Sequence, residues 1–252
     1  MTPIGCFCYL VRHTQYDVDD LCESLTSLYT NYLKNYDYPV YVFHENGLTQ
    51  AMRDQILGQI PIPLKLVPLE FQVPEWITGA ISKVGYKHMC RFFGNQVFHQ
   101  SVLADHEYYC RLDSDSRILS PIGFDIFERA SKEGWDYGYI TDSIKDKACY
   151  AEGLWSAAGE YFRGRPQPLV KFEDLPFAQC YYTNFELCRI GWFHEQGWSE
   201  FFEYLDHCGG IYRERWGDHT IRYIGVRMMM PAARIHHFTD IHYRHQRDFN
   251  SK

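Results

Sequence analysis

The hydrophobic pattern opens with an unbroken apolar run, Gly5-Cys6-Phe7-Cys8-Tyr9-Leu10-Val11, which ends at Arg12-His13-Thr14. A run of that length predicts a buried strand, and the polar residues at its end would face a crevice in a parallel sheet. Val18, Leu21, Cys22, Leu25, Leu28, Tyr29, Tyr32 and Leu33 then recur at helical spacing. Asp17, Asp19 and Asp20 place acidic charge in the first turn, where the helix dipole favours it. A strand over residues 39–43, a helix over 50–57 and a strand over 64–67 complete a β-α-β-α-β series. Such a series predicts a mainly parallel sheet flanked by helices, an α/β fold.

Four prolines between residues 61 and 74 punctuate the passage to a helix over 83–104. A strand over 107–112 follows, then a helix over 124–130 and a strand over 136–141. From there to 177 the periodicity predicts only loosely packed helices, with a Gly-Arg-Pro turn at 163–166. Residues 180–187 alternate as a strand. Trp198, Phe201, Phe202 and Leu205 mark an amphipathic helix stopped by Gly209-Gly210, and Asp218 is placed to cap a helix running through Met229.

Candidate chemistry enters at the end of the 107–112 strand, where Asp113 and Asp115 stand two residues apart. On an extended backbone these side chains share a side with Arg111. Two carboxylates there suit a hard divalent cation such as Mg²⁺ or Mn²⁺. With 32 acidic residues in 252, chance alone gives roughly four such pairs, so the abrupt end of a hydrophobic run carries the reading more than the spacing does. Glu186, in mainly apolar surroundings, needs a partner or a shifted pKa and is either a structural ion-pair member or a catalytic group. Asp218 divides between helix cap and site residue. Of the four histidines 236, 237, 242 and 245, no spacing matches a zinc signature, and one of them could reach a metal held by Asp113.

Composition narrows the partners. A chain of 252 residues with 46% hydrophobic content can form one domain over 1–252, its halves falling at about 5–119 and 120–245. A net charge of −7 argues against nucleic acid, although a bound metal would still let a small anion bind. Nine cysteines without a C-x-x-C pair predict buried free thiols. The absence of a long apolar segment or signal-like start predicts a soluble, cytoplasmic chain. Aromatic content of 17% fits sugar-binding surfaces, though most such rings belong to cores.

Five blocks then occur in order. They are Gly85-Tyr86-Lys87-His88-Met89-Cys90-Arg91-Phe92, Glu107-Tyr108-Tyr109-x-Arg111-x-Asp113, Asn184-Phe185-Glu186, the block from Leu205-Asp206 through Gly209-Gly210 to Glu214-Arg215-Trp216-Gly217-Asp218, and Ile235-His236-x-Phe238-x-Asp240-Ile241-x-Tyr243-x-His245. Together they resemble glycosyltransferase family 15, the fungal GDP-mannose-dependent α-1,2-mannosyltransferases. The resemblance implies a GT-A fold, in which an acidic strand end holds Mn²⁺ (or Mg²⁺) against a sugar-nucleotide diphosphate. By position, Asp113 and His245 correspond to metal ligands, with Asp115 a third from the Asp-x-Asp pattern. Tyr86 and Arg111 fall at the donor, and Arg12 is a further candidate there. Glu186 matches a carboxylate proposed as nucleophile or oxocarbenium stabiliser in a retaining transfer, and Asp218 an acidic residue for acceptor or sugar hydroxyls.

The sequence departs from the family where Asp113-Ser114-Asp115 replaces Glu-Pro and His219-Thr220-Ile221 replaces Ala-Pro-Val. Family members are also longer and Golgi membrane-anchored. The expected function is metal-dependent transfer of a hexose, mannose first, from a nucleotide-sugar donor to a glycan acceptor. The alternatives are another UDP- or GDP-linked donor, an inactive carbohydrate-binding module on the same fold, or a metal-dependent phosphohydrolase, which the lack of a second carboxylate cluster disfavours.

Overall fold

In the computed structural model, which describes residues 4–165, 169–195 and 197–246, the first apolar run forms strand β1 (Gly5–Val11). Thr14 caps helix α1 (Gln15–Leu28) by accepting from the Asp17 amide, and the apolar stripe continues through a wider π-helical turn at Tyr29–Leu33. Strand β2 (Val40–Glu45), helix α2 (Gln50–Leu57) and strand β3 (Leu64–Leu69) follow as expected, with β1, β2 and β3 parallel.

The chain then returns to the far side of β1. Helix α3 (Val84–Gly94) stops well short of the expected residue 104, because Asn95 leaves the helical region at φ −150° and two 3₁₀ turns take over. Strand β4 (Tyr108–Leu112) pairs parallel with β1 on the edge opposite β2. Strand order therefore reverses between β1 and β4, and such a switch point opens a crevice at the carboxyl ends of the strands. Arg12 and Asp113 are the first residues beyond those two ends.

Strand β5 (Ser116–Ile118), helix α4 (Ile126–Glu133, capped by Asp125), strand β6 (Tyr137–Tyr139) and strand β7 (Ile144–Lys145) come next. The loosely packed helices expected after them are instead one 15-residue helix, α5 (Ala148–Phe162), which buries Leu154, Ala158 and Tyr161. Pro166, the end of the expected turn, lies outside the described residues. The single strand expected over 180–187 is broken in two. Strand β8 (Gln179–Cys180) pairs with β7, and β9 (Phe185–Arg189) lies antiparallel between β4 and β6. Residues 181–184 leave the strand between them.

Helices α6 (Ile190–Glu195), α7 (Trp198–Cys208), α8 (Gly210–Arg213) and α9 (Asp218–Met229) lead to strands β10 (Ile235–His237) and β11 (Tyr243–His245). The main sheet has the order β10-β6-β9-β4-β1-β2-β3, so strands from both halves of the chain share one sheet. Apolar clusters cover its two faces, one built around α1 and α4 and the other around α3, α5, α7 and α9. The nine cysteines are free thiols, seven of them buried. No helix among the described residues is long and apolar enough to cross a membrane.

Candidate active site

After β4 the backbone turns, the Ser116 amide donating to the Asp113 carbonyl at 3.0 Å, and runs into β5. β5 pairs antiparallel with β11, in a register that sets His245 opposite Ser116. The Gln246 amide donates to the Asp115 carbonyl at 3.2 Å. This small ribbon brings His245 to the acidic turn. Its Nε2 lies 3.0 Å from Asp115 Oδ1 and 3.7 Å from Asp113 Oδ2. One ligand atom from each of the three residues falls within a span of 4.8 Å.

A second layer fixes the triad. Tyr182, from the break between β8 and β9, hydrogen-bonds His245 Nδ1 at 2.8 Å. Burial pushes the Tyr182 phenol pKa up, so it stays a neutral hydroxyl. An imidazole whose Nδ1–H donates to that oxygen presents a free Nε2 lone pair to a metal. Tyr243 bridges Ser116 Oγ, at 2.6 Å, and Asn184, which ties β11 to the same turn. Burial would raise the Asp115 carboxyl, but its hydrogen bond and charge interaction with His245 outweigh that and hold it below the usual carboxylate value. Two carboxylates and one oriented imidazole, each still partly open to solvent, fit a divalent cation that keeps positions for other ligands.

Arg111 is buried, 2% exposed, and held from two sides. It pairs with Asp113 at 2.9 Å and with Asp218 at 2.6 Å, while its guanidinium lies 3.7 Å from the centre of the Phe93 ring. With a carboxylate on either side, the Arg111 guanidinium fixes the aim of Asp113 and Asp218. Asp218 is the first residue of α9, and its side chain makes no cap, since Gly217 occupies the cap position. Oδ2 instead accepts from Arg111 and from Thr183 Oγ1 at 2.9 Å. Burial opposes ionisation there, but the Arg111 charge overrides it and holds the carboxyl far below its usual range.

Glu186 has the ion-pair partner that the sequence reading required of a buried carboxylate. It is fully buried on β9, accepts from Tyr109 and Tyr137, and forms an ion pair with Arg222 at 3.0 Å. It is not among the residues lining the two clefts described below. Of the other histidines, His236 stacks on Trp135 and His237 on Tyr139, both away from the triad.

Two clefts meet at the triad. One, of about 460 Å³, runs over the ends of β1 and β2 and includes Arg12, Tyr16 and Phe71. The other, of about 320 Å³, lies under α9 and includes Asn184, Arg215, Asp218 and His219. Asp113, His245, Tyr86 and Met89 line both. Arg12 sits at the rim, 73% exposed in its side chain and paired with Asp17.

Comparison with known proteins gives the family of the chain. The sequence profile of a family described as glycolipid 2-alpha-mannosyltransferase matches residues 2–251. The chain belongs to that family. It is 25% identical to the glycolipid 2-alpha-mannosyltransferase of Saccharomyces cerevisiae, over 96% of this chain and 61% of that protein's length. Core-mannan synthase A (CmsA/Ktr4) from Aspergillus fumigatus, solved in a Mn/GDP form, superposes with a TM-score of 0.87 at 20% identity, covering 96% of this chain and 74% of that one. The mannosyltransferase Ktr4p of S. cerevisiae, solved with GDP, gives 0.86 at 22%, over 96% and 71%. The expected GT-A architecture is therefore the fold of this family member.

Several site residues gave no sequence signal as such: Tyr182 and Thr183 in an interrupted strand, and Asp146 with His219, which meet at 3.2 Å. His219 lies between Asp146 and Asp218, and although burial disfavours its charge, these partners raise its pKa to about 9. An imidazole raised from an unfolded value near 6.5 contributes stability that is fully present below about pH 6.5 and is lost as pH climbs through 9. Urea denaturation should therefore show stability falling by on the order of 3 kcal/mol between pH 6.5 and 9.5, with the slope flattened in His219→Gln.

The Gly-Gly turn before this segment is also structural. Gly209 has φ +77°, and a Cβ on Gly210 would lie 2.1 Å from the Trp216 ring. Gly210→Ala should cost about 1–3 kcal/mol by overpacking, measured by thermal or urea unfolding.

Proposed function

We propose that this chain transfers mannose from GDP-mannose to a hydroxyl of a glycan, with Mn²⁺ (or Mg²⁺) held by Asp113, Asp115 and His245. The observation that carries the reading is the Asp-Asp-His triad at the switch point of the sheet, where the two clefts join. An imidazole in the donor set favours Mn²⁺ over Mg²⁺, whose ligands are nearly all oxygen. The cation would supply positive charge at the pyrophosphate as the bond to the sugar breaks. The Mn/GDP and GDP forms of the two structural relatives support the same assignment.

The chain's own residues then divide the work. The cleft over β1 and β2 takes the nucleoside, with Arg12 at its rim; Tyr86, shared by both clefts, sits beside the diphosphate. The cleft under α9 takes the sugar and the acceptor. Asp218, ionised and fixed by Arg111 and Thr183, places negative charge where a sugar carbon gains positive charge or a hydroxyl donates. Buried Asn184, whose Nδ2 meets no hydrogen-bond acceptor at normal distance among the described residues, is placed to donate to a sugar hydroxyl. We assign retention of configuration on the resemblance of the sequence blocks.

Incubation with Mn²⁺ and a panel of nucleotide sugars tests the reading. GDP-mannose should be consumed, slowly by hydrolysis and faster with a mannoside acceptor, and an NMR spectrum of the product should show an α-linked sugar. Consumption of no donor, with or without acceptor, would contradict it.

A further inference from the structure

Resting on the donor reading above, we infer that Arg215 is a ligand of the donor's pyrophosphate and supplies the protein cation that Arg111 cannot. A departing nucleoside diphosphate gains negative charge, which a guanidinium can accept through paired N–H donors. Around the triad, the cations that could do this are mostly occupied. Arg111 is enclosed by Asp113 and Asp218, Arg12 is paired with Asp17, and His219 lies between Asp146 and Asp218.

Arg215 differs from all of them. It lines the same cleft as Asp113, Asp218 and His245, yet among the described residues no carboxylate lies within ion-pair distance of it. Its Nε is buried without a hydrogen-bond partner. The guanidinium is held between two rings, 4.4 Å from the centre of Tyr86 and 4.5 Å from that of Tyr150. Stacking of this kind fixes the plane of the group while leaving its edge free to donate. Tyr86 lines both clefts, so the stack sets Arg215 beside their junction.

The backbone adds a second, independent sign. Arg215 has φ +67°, a left-handed conformation that an arginine rarely adopts. Its neighbours impose it. The Glu214 and Trp216 amides both donate to the Gly210 carbonyl, at 2.8 and 3.2 Å, and Trp216 Nε1 donates to Glu214 at 3.0 Å. Glycine would suit this position better on backbone grounds alone. A long cationic side chain here, strained and with no carboxylate at ion-pair distance among the described residues, is explained by an anionic ligand.

The test measures binding of inorganic pyrophosphate, GDP and guanosine to the full chain in Mn²⁺, by calorimetry, for wild type, Arg215→Lys and Arg215→Gly. The glycine variant relieves the backbone, so its unliganded melting temperature reports whether the fold survives. Pyrophosphate and GDP should bind at least tenfold more weakly to the glycine variant and by an intermediate amount to the lysine variant, while guanosine binding stays unchanged. Equal affinities for pyrophosphate in all three proteins would overturn the inference, as would a parallel loss for guanosine. Pyrophosphate bound through Arg215 without any preference for GDP would uphold Arg215 and remove the guanosine part of the donor reading. Failure of wild type to bind any pyrophosphate compound would remove both.

Discussion

Asp113→Asn is expected to lower the rate of donor turnover by about 10²–10³-fold, the usual loss when a preorganised group that offsets developing charge is removed. Asp113 faces both clefts and shares the triad with Asp115 and His245. An amide keeps the size of the side chain and most of its hydrogen bonding but withdraws one negative charge from the cation site. Folding should be little affected, because Asp113 is 30% exposed and Arg111 retains Asp218 as a counter-charge. Steady-state assays with GDP-mannose at saturating Mn²⁺ would check the rate, and the melting temperature without ligand would check the fold. Unchanged turnover would remove Asp113 from the active site.

Glu186→Gln should behave in the opposite way. The substitution is isosteric but leaves Arg222, 1% exposed, without its counter-charge. Breaking a buried ion pair from one side typically costs about 3–5 kcal/mol, because the remaining charge stays out of water. Arg222 also stacks against Phe193 and Trp198, and one of its amino groups donates to the Phe93 carbonyl, so the pair joins β9 to α9 and to the end of α3. Urea denaturation should show the loss, and the double variant Glu186→Gln with Arg222→Met should recover part of it. A Glu186→Gln protein with full stability and abolished turnover would instead restore Glu186 as a group acting on the substrate.

These two carboxylates differ in how much of their surroundings the sequence records. Asp113 was legible because a strand end is a local event: the apolar run 108–112 stops and the polar residues begin. Glu186 lies on an equally apolar strand, but its meaning depends on Arg222, which reaches it from a helix far along the chain. Spacing does not record such a pairing. His245 was joined to Asp113 by resemblance, whereas the physical link between them is the β5–β11 ribbon, two three-residue strands too short to leave a periodic trace.

The same contrast runs through the fold. β1, β2, β3 and α2 were readable because each carries its own pattern over its own length. Helix α5 was not, since Ala-Cys-Tyr-Ala-Glu-Gly-Leu-Trp-Ser-Ala-Ala-Gly mixes small and large apolar residues around several faces instead of on one stripe. The strand expected over 180–187 is interrupted because Tyr182, Thr183 and Asn184 are drawn out to His245, Asp218 and Tyr243. Alternating polarity looks the same whether a segment stays in a sheet or leaves it to build a site.

The most direct test of the account is a crystal structure of the chain grown with Mn²⁺ and GDP, with the metal located by anomalous scattering. The account predicts one manganese peak within coordinating distance of Asp113 and His245 Nε2 and close to Asp115, touching the GDP phosphates. A manganese peak bound elsewhere, or GDP phosphates seated away from that triad, would contradict it.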